Sequence, residues 1–598
     1  MKKSLFKTEG ALHSEQGSED DRVILRDAQT GQWLDFSRPQ RIISTHKVTE
    51  VAACLREIEL LVATQGWTAA GFLAYEAAPA FDAALLVQED NCFPLIWFGL
   101  YLPPCPIDLP EPAAPSPDLH WTPSVGDAAY TASIQRIQDY IAAGDTYQVN
   151  YTYRLRTPFS GDAWPLFTGL VAAHHPEYGG YIQTRDWTIL SFSPELFFQL
   201  KDDHIQSLPM KGTIGRALTA ADDLTQGGRL QNSSKDQAEN VMIVDMVRND
   251  LARIALPGSV QVNNLFAVQR YPTLWQMVSP VQARTKASFC EILSALFPAA
   301  SITGAPKART MGIIRELETS PRRIYTGAVG FLLPDRRAQF NVAIRTLLID
   351  RQNEVAEYGV GGGITADSTA AAELEETRLK SLLCRTRRLD FSLLETLLWT
   401  PEEGYVLLPE HARRLTTSAD YFSYPCDLAK ILTQLDTAAA GYNEIQQKVR
   451  LLLDRRGELR IESVPFAPPD TGQPVRVMLA PHPIEDQDVF FYHKTTHRAH
   501  YDQMREGLPQ GVADVLLYNH NGEVTETTIA NIVVTINDRQ YTPPVRCGLL
   551  AGTYRQHLLD TGKLEERVLT LEDLQALNAF TLINSVRGCY PATLVPHP

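Results

Sequence analysis

Two lysines and a set of carboxylates are the residues of this 598-residue chain whose surroundings could do chemistry. Lys211 stands in Pro209-Met210-Lys211-Gly212-Thr213, between a proline and a glycine that place it on a loop or strand end. A lone lysine is usually a solvated surface charge. This one has Ser193-Pro194-Glu195 before it and Lys235-Asp236-Gln237-Ala238-Glu239-Asn240 after it. Burial near a cation lowers a lysine pKa and makes the amine a nucleophile. Glu373, Glu376 and Lys380 fall at spacings of three and four, on one face of a helix expected over 370–383 and capped by Ser368. Glu239 opens a second helix, expected over 239–254 and largely buried by its apolar run. Carboxylates from two helices facing one point repel unless a cation joins them, and hard oxygen ligands without cysteine or histidine favour Mg²⁺. Alone, the same pattern reads as a solvated acidic face with a Glu–Lys pair. The glycine run of Tyr358-Gly359-Val360-Gly361-Gly362-Gly363 lets backbone amides converge on an anion near the start of the 370–383 helix. Arg345 ends an apolar strand expected over 340–345; buried, it needs an anion, and a carboxylate matches it with two hydrogen bonds.

The second lysine, Lys494, stands in Tyr492-His493-Lys494-Thr495-Thr496-His497-Arg498, after the apolar pair Phe490-Phe491. Gly522-Glu523-Val524-Thr525-Glu526 follows a hairpin-like turn. Gly548-Leu549-Leu550-Ala551-Gly552-Thr553 leads into a helix, and a Gly-Thr at a helix start is a phosphate cradle. A lysine, an acid and a phosphate cradle together suggest pyridoxal 5′-phosphate.

These groups need elements to carry them, and the chain is long enough for several domains. A hydrophobic share of 44% supports a real core. The net charge of −15 argues against nucleic-acid binding, so an anionic substrate needs a local positive pocket. The eight cysteines form no C-x-x-C pair, which speaks against zinc and for a reducing compartment. The polar start, frayed over residues 1–20, carries no signal peptide, and no apolar run is long enough to span a membrane. The expected location is cytoplasmic. Helices are expected over 48–61 and 130–143, the latter stopped by Gly144, and a strand over 71–76. Residues 103–123 are a proline-rich stiff connector, including Pro115 and Pro117. Residues 384–392, with Arg385, Arg387 and Arg388 and no Pro or Gly, make a short join. Strands over 449–453, 475–479 and 529–536, with a turn at Asn521-Gly522, change the character of the last part. Three divisions follow: 1–125, an N-terminal segment packing on the core; 126–388; and 389–598.

From 129 to 383 the chain closely resembles the chorismate-utilising enzymes. The matching motifs are Gly144-Asp145-Thr146-Tyr147-Gln148-Val149-Asn150, Ser193-Pro194-Glu195-Leu196-Phe197, Pro209-Met210-Lys211-Gly212-Thr213, Ala238-Glu239-Asn240 through Arg248-Asn249-Asp250-Leu251, Gly304-Ala305-Pro306-Lys307, and Glu373-Leu374-Glu375-Glu376-Thr377 with Lys380. The resemblance implies a β-sandwich with flanking helices, in the mixed α/β (α+β) class. Lysine at 211 marks the aminodeoxychorismate synthase component I subgroup, where related enzymes carry alanine. Gln148, in the slot of a water-activating lysine, implies ammonia as the incoming group. By this likeness Lys211 adds to the ring of chorismate and Glu195 protonates the departing hydroxyl. Glu239 and Glu376, with Glu373 through water, hold Mg²⁺ against the ring carboxylate. Arg345, Tyr325 and the Gly361 and Gly363 amides hold the enolpyruvyl carboxylate, supported by Lys380. Relatives often carry a histidine in the segment where this chain has Trp275-Gln276, so its work falls here to Gln276, to another group, or to none. The N-terminal segment lacks the Leu-Leu-Glu-Ser signature of tryptophan-regulated relatives, which implies no feedback site for tryptophan. The chain shows no glutaminase elbow, so ammonia comes from solution or a separate glutamine amidotransferase subunit.

The last part resembles fold-type-IV pyridoxal-phosphate enzymes, nearest to aminodeoxychorismate lyase, through His411-Ala412-Arg413-Arg414-Leu415, Lys494, Glu526 with Asn531, and Gly552-Thr553. The likeness implies an α+β domain in which Lys494 carries the coenzyme and moves protons. Glu526 pairs with its ring nitrogen, and Arg414, Gly552, Thr553 and Ser585 bind its phosphate. A homodimer through this domain is compatible with the resemblance. The usual first strand and turn before Glu395-Thr396 is missing. Jointly the halves would make 4-amino-4-deoxychorismate and then 4-aminobenzoate, a folate precursor. The alternatives are an anthranilate synthase component I-like first half, an amino-acid transaminase second half, or a decayed scaffold in one half.

Overall fold

A computed structural model describes residues 14–15, 21–112, 119–381, 389–442, 445–467, 473–575 and 579–596. The frayed start (apart from 14–15), Pro115 and Pro117 of the connector, and Arg385, Arg387 and Arg388 of the join lie outside the described residues, as does Leu383 at the expected end of its helix. The chain divides into two compact units, residues 1–214 with 229–388, and residues 215–228 with 389–598.

The first unit is built on two ten-stranded sheets. Their facing sides meet in one core, with Val23, Leu25 and Phe36 from one sheet against Phe72, Trp97 and Phe331 from the other. The N-terminal strands Arg22–Arg26, Thr68–Leu73 and Ile96–Tyr101 are woven into these same sheets, so these strands are part of the unit's core. Helices cover the outer faces. Val48–Gln65, Ser234–Ala252 and Phe289–Leu296 bury Val51, Leu55, Ile243, Val247 and Leu293 against one sheet. Asp127–Ala142 and Ala163–His174 bury Tyr130, Ile134, Leu166 and Phe167 against the other. Ser233 caps the Ser234–Ala252 helix by accepting from Asp236 N, which starts it five residues before Glu239, earlier than the apolar run suggests.

Two local expectations are corrected. The glycine run is no loop: Gly359–Gly363 lie inside the strand Val355–Ile364, paired with Gln148–Pro158 so that Gly361 faces Thr152 and Gly363 faces Asn150. Glycine is needed there for close approach, since a Cβ on Gly359 would enter the Tyr325 ring. The strand expected to run to Arg345 ends at Val342, and Arg345 turns into the left-handed region with φ 49°.

In the second unit, a four-stranded sheet is covered by the helices Leu408–Phe422 and Leu428–Ala439, with Leu397, Leu415, Leu435 and Leu451 in its core. An eight-stranded sheet holds a second core of Val477, Leu516, Ile532 and Leu582. The segment 215–228, read from sequence within the first catalytic division, packs here. Arg216 pairs with Asp223 at 2.7 Å and donates to Tyr421 O at 3.0 Å, while Tyr421 Oη donates to Ala217 O at 2.8 Å. Seven cysteines, all free, lie among the described residues, and none of the described helices is long and apolar enough to cross a membrane.

Candidate active sites

Lys211 lies on the strand Met210–Gly215, which joins Leu274–Val278 in a three-stranded sheet. Its side chain faces a cavity of about 330 Å³ that Glu195, Glu239, Tyr325, Arg345, Gly361, Gly363, Glu373, Glu376 and Lys380 also line. Apart from Gln148, every residue expected at the first site from sequence therefore borders one space. Burial pushes the Lys211 amine below the ordinary lysine range; Lys380 adds to this, while Glu239, Glu376 and Glu195 oppose it.

Glu195 sits just before the strand Leu196–Lys201 and is fully buried, so burial raises its carboxyl to about 7 against a hydrogen bond from Ser301 Oγ at 2.6 Å. An acid with that value is protonated enough at neutral pH to give a proton. Arg345 has no carboxylate partner among the described residues, and burial pulls its pKa down. A buried guanidinium without an anion is an incomplete site. Behind the wall, Arg322 donates to Asn150 O at 2.7 Å and Ile302 O at 2.9 Å and pairs with Glu318 at 2.6 Å. Arg154 lies over the Tyr325 ring at 5.1 Å, and burial raises the Tyr325 hydroxyl to about 12.

Glu373 and Glu376 project from the helix Ala370–Ser381. Ser368, expected to cap its backbone, instead donates to Glu373 Oε1 at 2.6 Å and accepts from Thr365 N. Glu376 pairs with Lys380 at 2.7 Å, and Lys380 also donates to Gly361 O at 3.0 Å. Burial raises the Glu239 and Glu373 carboxyls; against burial, Lys380 and Lys211 hold Glu376 low. Among the described residues no three acidic, imidazole or thiol groups converge on a metal position. The donor chemistry still fits a hard cation: three carboxylates line the cavity without histidine or cysteine, and two of them are destabilised by burial.

Ser301 was not foreseen from sequence, and the contacts of Gln276 and Gln148, both singled out there, come only from the fold. Ser301 orients Glu195. Gln276 grips the lysine strand, and nothing in the sequence shows this pairing. The Gln148 amide is fully buried and makes no hydrogen bond, although a Cβ on Gly363 would strike both its Nε2 and the Lys211 amine.

The second cavity, about 340 Å³, is lined by Arg414, Lys494, Glu526, Gly552, Thr553 and Ser585, again the full expected set. Burial, with Arg414 and Arg498 nearby, lowers Lys494 to about 7. Burial raises Glu526 to about 7; Tyr501 Oη donates to its Oε1 at 2.7 Å and Asn531 Nδ2 to its Oε2 at 3.1 Å. Gly552 caps the helix Thr553–Asp560, and a Cβ there would collide with Asn531 Oδ1. Ser585 donates to Thr396 O at 3.3 Å. Arg414 is tied to Glu395 through 2.9 and 2.6 Å bonds, and His411 Nδ1 meets the same carboxylate at 2.6 Å. Glu395, held down to about 2 by Arg414 and the His411 hydrogen bond despite its burial, was not foreseen; the signal was the His411-Ala412-Arg413-Arg414 run, whose arginines need an acid. An amine lowered to about 7, a buried acid and a helix start around one cavity fit pyridoxal phosphate.

Residues 103–383 match the model of the chorismate binding enzymes, and residues 392–595 that of the class IV amino-transferases. Aminodeoxychorismate synthase component 1 of Salmonella typhimurium is 40% identical over 259 residues, 43% of this chain and 57% of its own length. The protein of that name from Bacillus subtilis is 35% identical over 269 residues, 45% of this chain and 57% of its own length. The chain thus spans little more than half the length of these relatives. Anthranilate synthase component I from Streptococcus pneumoniae shares the fold of the first unit, with a TM-score of 0.50 at 22% identity over 64% of this chain and 94% of that one. This chain is therefore an enzyme that joins a chorismate binding enzyme domain to an amino-transferase class IV domain.

Proposed function

We propose that the first site converts chorismate and ammonia to 4-amino-4-deoxychorismate, and that the second converts this to 4-aminobenzoate and pyruvate. The observation that carries the reading is Lys211: a lysine amine held below its usual pKa, in one cavity with an acid raised to about 7 and an arginine that has no carboxylate partner among the described residues. In the first half-reaction Lys211 forms a bond to a ring carbon while the ring hydroxyl leaves as water with the proton of Glu195. Ammonia then bonds to the carbon that lost the hydroxyl, and the bond to Lys211 breaks. Splitting one hard displacement into two requires a neutral amine, and burial shifts Lys211 toward that form. Arg345 and Tyr325 would hold the enolpyruvyl carboxylate, with the Gly361 and Gly363 backbone alongside. Glu239, Glu373 and Glu376 would hold a Mg²⁺ ion that binds the ring carboxylate. The relatives' component 1 naming supports ammonia delivery by a separate glutamine amidotransferase.

At the second site, Glu526, Gly552, Thr553, Ser585 and Arg414 would hold pyridoxal phosphate, which supplies an electron sink when bound. Lys494 takes the ring proton and Tyr501 and Asn531 keep Glu526 oriented. The class IV amino-transferase match favours a second reading of this half, amino transfer to a 2-oxo acid. Mass spectrometry of products from chorismate, ammonium, Mg²⁺ and pyridoxal phosphate tests both. 4-Aminobenzoate with pyruvate supports the joint pathway; anthranilate overturns the first half, and glutamate formed from added 2-oxoglutarate favours transamination.

A further inference from the structure

The direction in which Lys211 points depends on its strand, and that strand is gripped from the strand beside it. Gln276, on Leu274–Val278, is 8% exposed and lines the first cavity. Its Nε2 donates to Gly212 O at 2.7 Å, and its Oε1 accepts from Thr213 Oγ1 at 3.1 Å. A backbone carbonyl only accepts, so the amide nitrogen must face Gly212 and the side-chain orientation is fixed by its partners. Both partners directly follow the lysine. On the other side, Gly212 has φ 88°, and a Cβ there would meet Asp236 Cβ at 2.9 Å. The backbone after Lys211 is boxed between the helix Ser234–Ala252 and Gln276.

We propose that Gln276 is a positioning residue for Lys211: by holding Gly212 and Thr213 it keeps the amine in the cavity, aimed at the substrate. The proposal rests on the reading of Lys211 as nucleophile. Gln276 does no proton chemistry of its own; a carboxamide stays neutral and keeps both bonds at every pH. An imidazole in its place would hold the two partners only in one tautomer and would titrate near neutrality.

The test uses the full chain with chorismate, ammonium and Mg²⁺, and variants Gln276→Ala, Gln276→Glu and Thr213→Ala. In parallel, a limiting dose of acetic anhydride labels the free amines, and peptide mass spectrometry reads Lys211 with Lys494 as internal reference. Gln276→Ala is expected to lower kcat of the first reaction about tenfold, as expected for a buried carbonyl left unpaired, with the KM for chorismate within about twofold. Lys211 labelling rises severalfold and Lys494 labelling does not change. Gln276→Glu loses as much, because a carboxylate oxygen then faces Gly212 O. Thr213→Ala keeps the bond to Gly212 and loses about threefold. Parental kcat and parental Lys211 labelling in Gln276→Ala would overturn the proposal. So would a uniform loss in which KM, kcat and Lys494 labelling all move, since that marks general loosening of the fold. If Lys211→Ala keeps full first activity while Gln276→Ala still raises Lys211 labelling, the clamp stands and the nucleophile reading falls.

Discussion

Gly363 makes room for Lys211: a Cβ at this glycine would sit on the lysine amine and on the buried amide of Gln148. The strand Val355–Ile364 and the strand Met210–Gly215 are therefore matched at one atom's width. Gly363→Ala should push the amine aside and cut the first reaction about 100-fold, the usual scale for a 1 Å misplacement of a reacting group. Supplied with 4-amino-4-deoxychorismate, the second site should work at the parental rate, which separates a local effect from misfolding.

Glu195 should leave its mark on stability as well as on rate. Its carboxyl titrates near 7 in the folded chain against an ordinary value of 4.5, with burial as the main cause. The folded state therefore binds this proton more tightly than the unfolded chain. Its contribution is fully present below about 4.5 and is lost as pH rises toward about 7, by at most about 1.4 kcal/mol per pH unit. Glu195→Gln should raise the Tm relative to the parent above neutrality and change it little in mild acid. The same variant should lower the first reaction about 100-fold or more, as loss of a general acid does. A thermal scan across pH checks the first outcome and a chorismate assay the second.

Arg322 and Glu318 are both buried and paired at 2.6 Å, and Glu318 also accepts from Thr152 N and Oγ1. Removing Arg322 takes the nearer cation from Glu318 and leaves it only Arg154, at 3.7 Å. Arg322→Met should cost about 3–5 kcal/mol by denaturant unfolding. Arg322→Met with Glu318→Leu should recover part of that loss, since the carboxylate that lost its nearer cation is gone and Arg154 keeps Glu357 at 4.0 Å.

Lys494, lowered to about 7 by burial and by Arg414 and Arg498, is protonated below that pH and neutral above it. The neutral amine is the reactive form, so pyridoxal phosphate should load faster as pH rises through about 7. Stopped-flow absorbance of the coenzyme checks this. Lys494→Ala should abolish loading by covalent attachment and leave the first reaction intact, so that 4-amino-4-deoxychorismate accumulates.

Withholding Mg²⁺ should silence the first reaction and spare the second. Glu376→Gln should weaken the response to Mg²⁺ rather than the affinity for pyridoxal phosphate. A magnesium titration of each half-reaction reads both, and equal effects on the two halves would count against the carboxylate wall as the metal site.

Much of both sites is legible in the order of residues, because the chemistry sits in short local runs. Lys211 between its proline and glycine, the Glu373–Glu376–Lys380 spacing, and Gly552-Thr553 at a helix start each carry their meaning within one turn or one strand. Helical spacing also located Val48–Gln65 and Asp127–Ala142 to within a few residues at their ends. The partners that tune those groups are distant in sequence and meet only through folding. Ser301 reaches Glu195 across 106 positions, Gln276 reaches Gly212 across 64, and Arg322 reaches Asn150 across 172. The glycine run shows the division most clearly. Its composition fits an anion loop, and pairing with Gln148–Pro158 made it a strand whose missing side chains admit Tyr325, Glu373 and Lys211. Residue type and spacing determined which groups could react. The tertiary structure decided their burial and neighbours, and so which amine and which acid are poised near neutral pH, because desolvation and contact depend on what packs around a group and not on what precedes it in the chain.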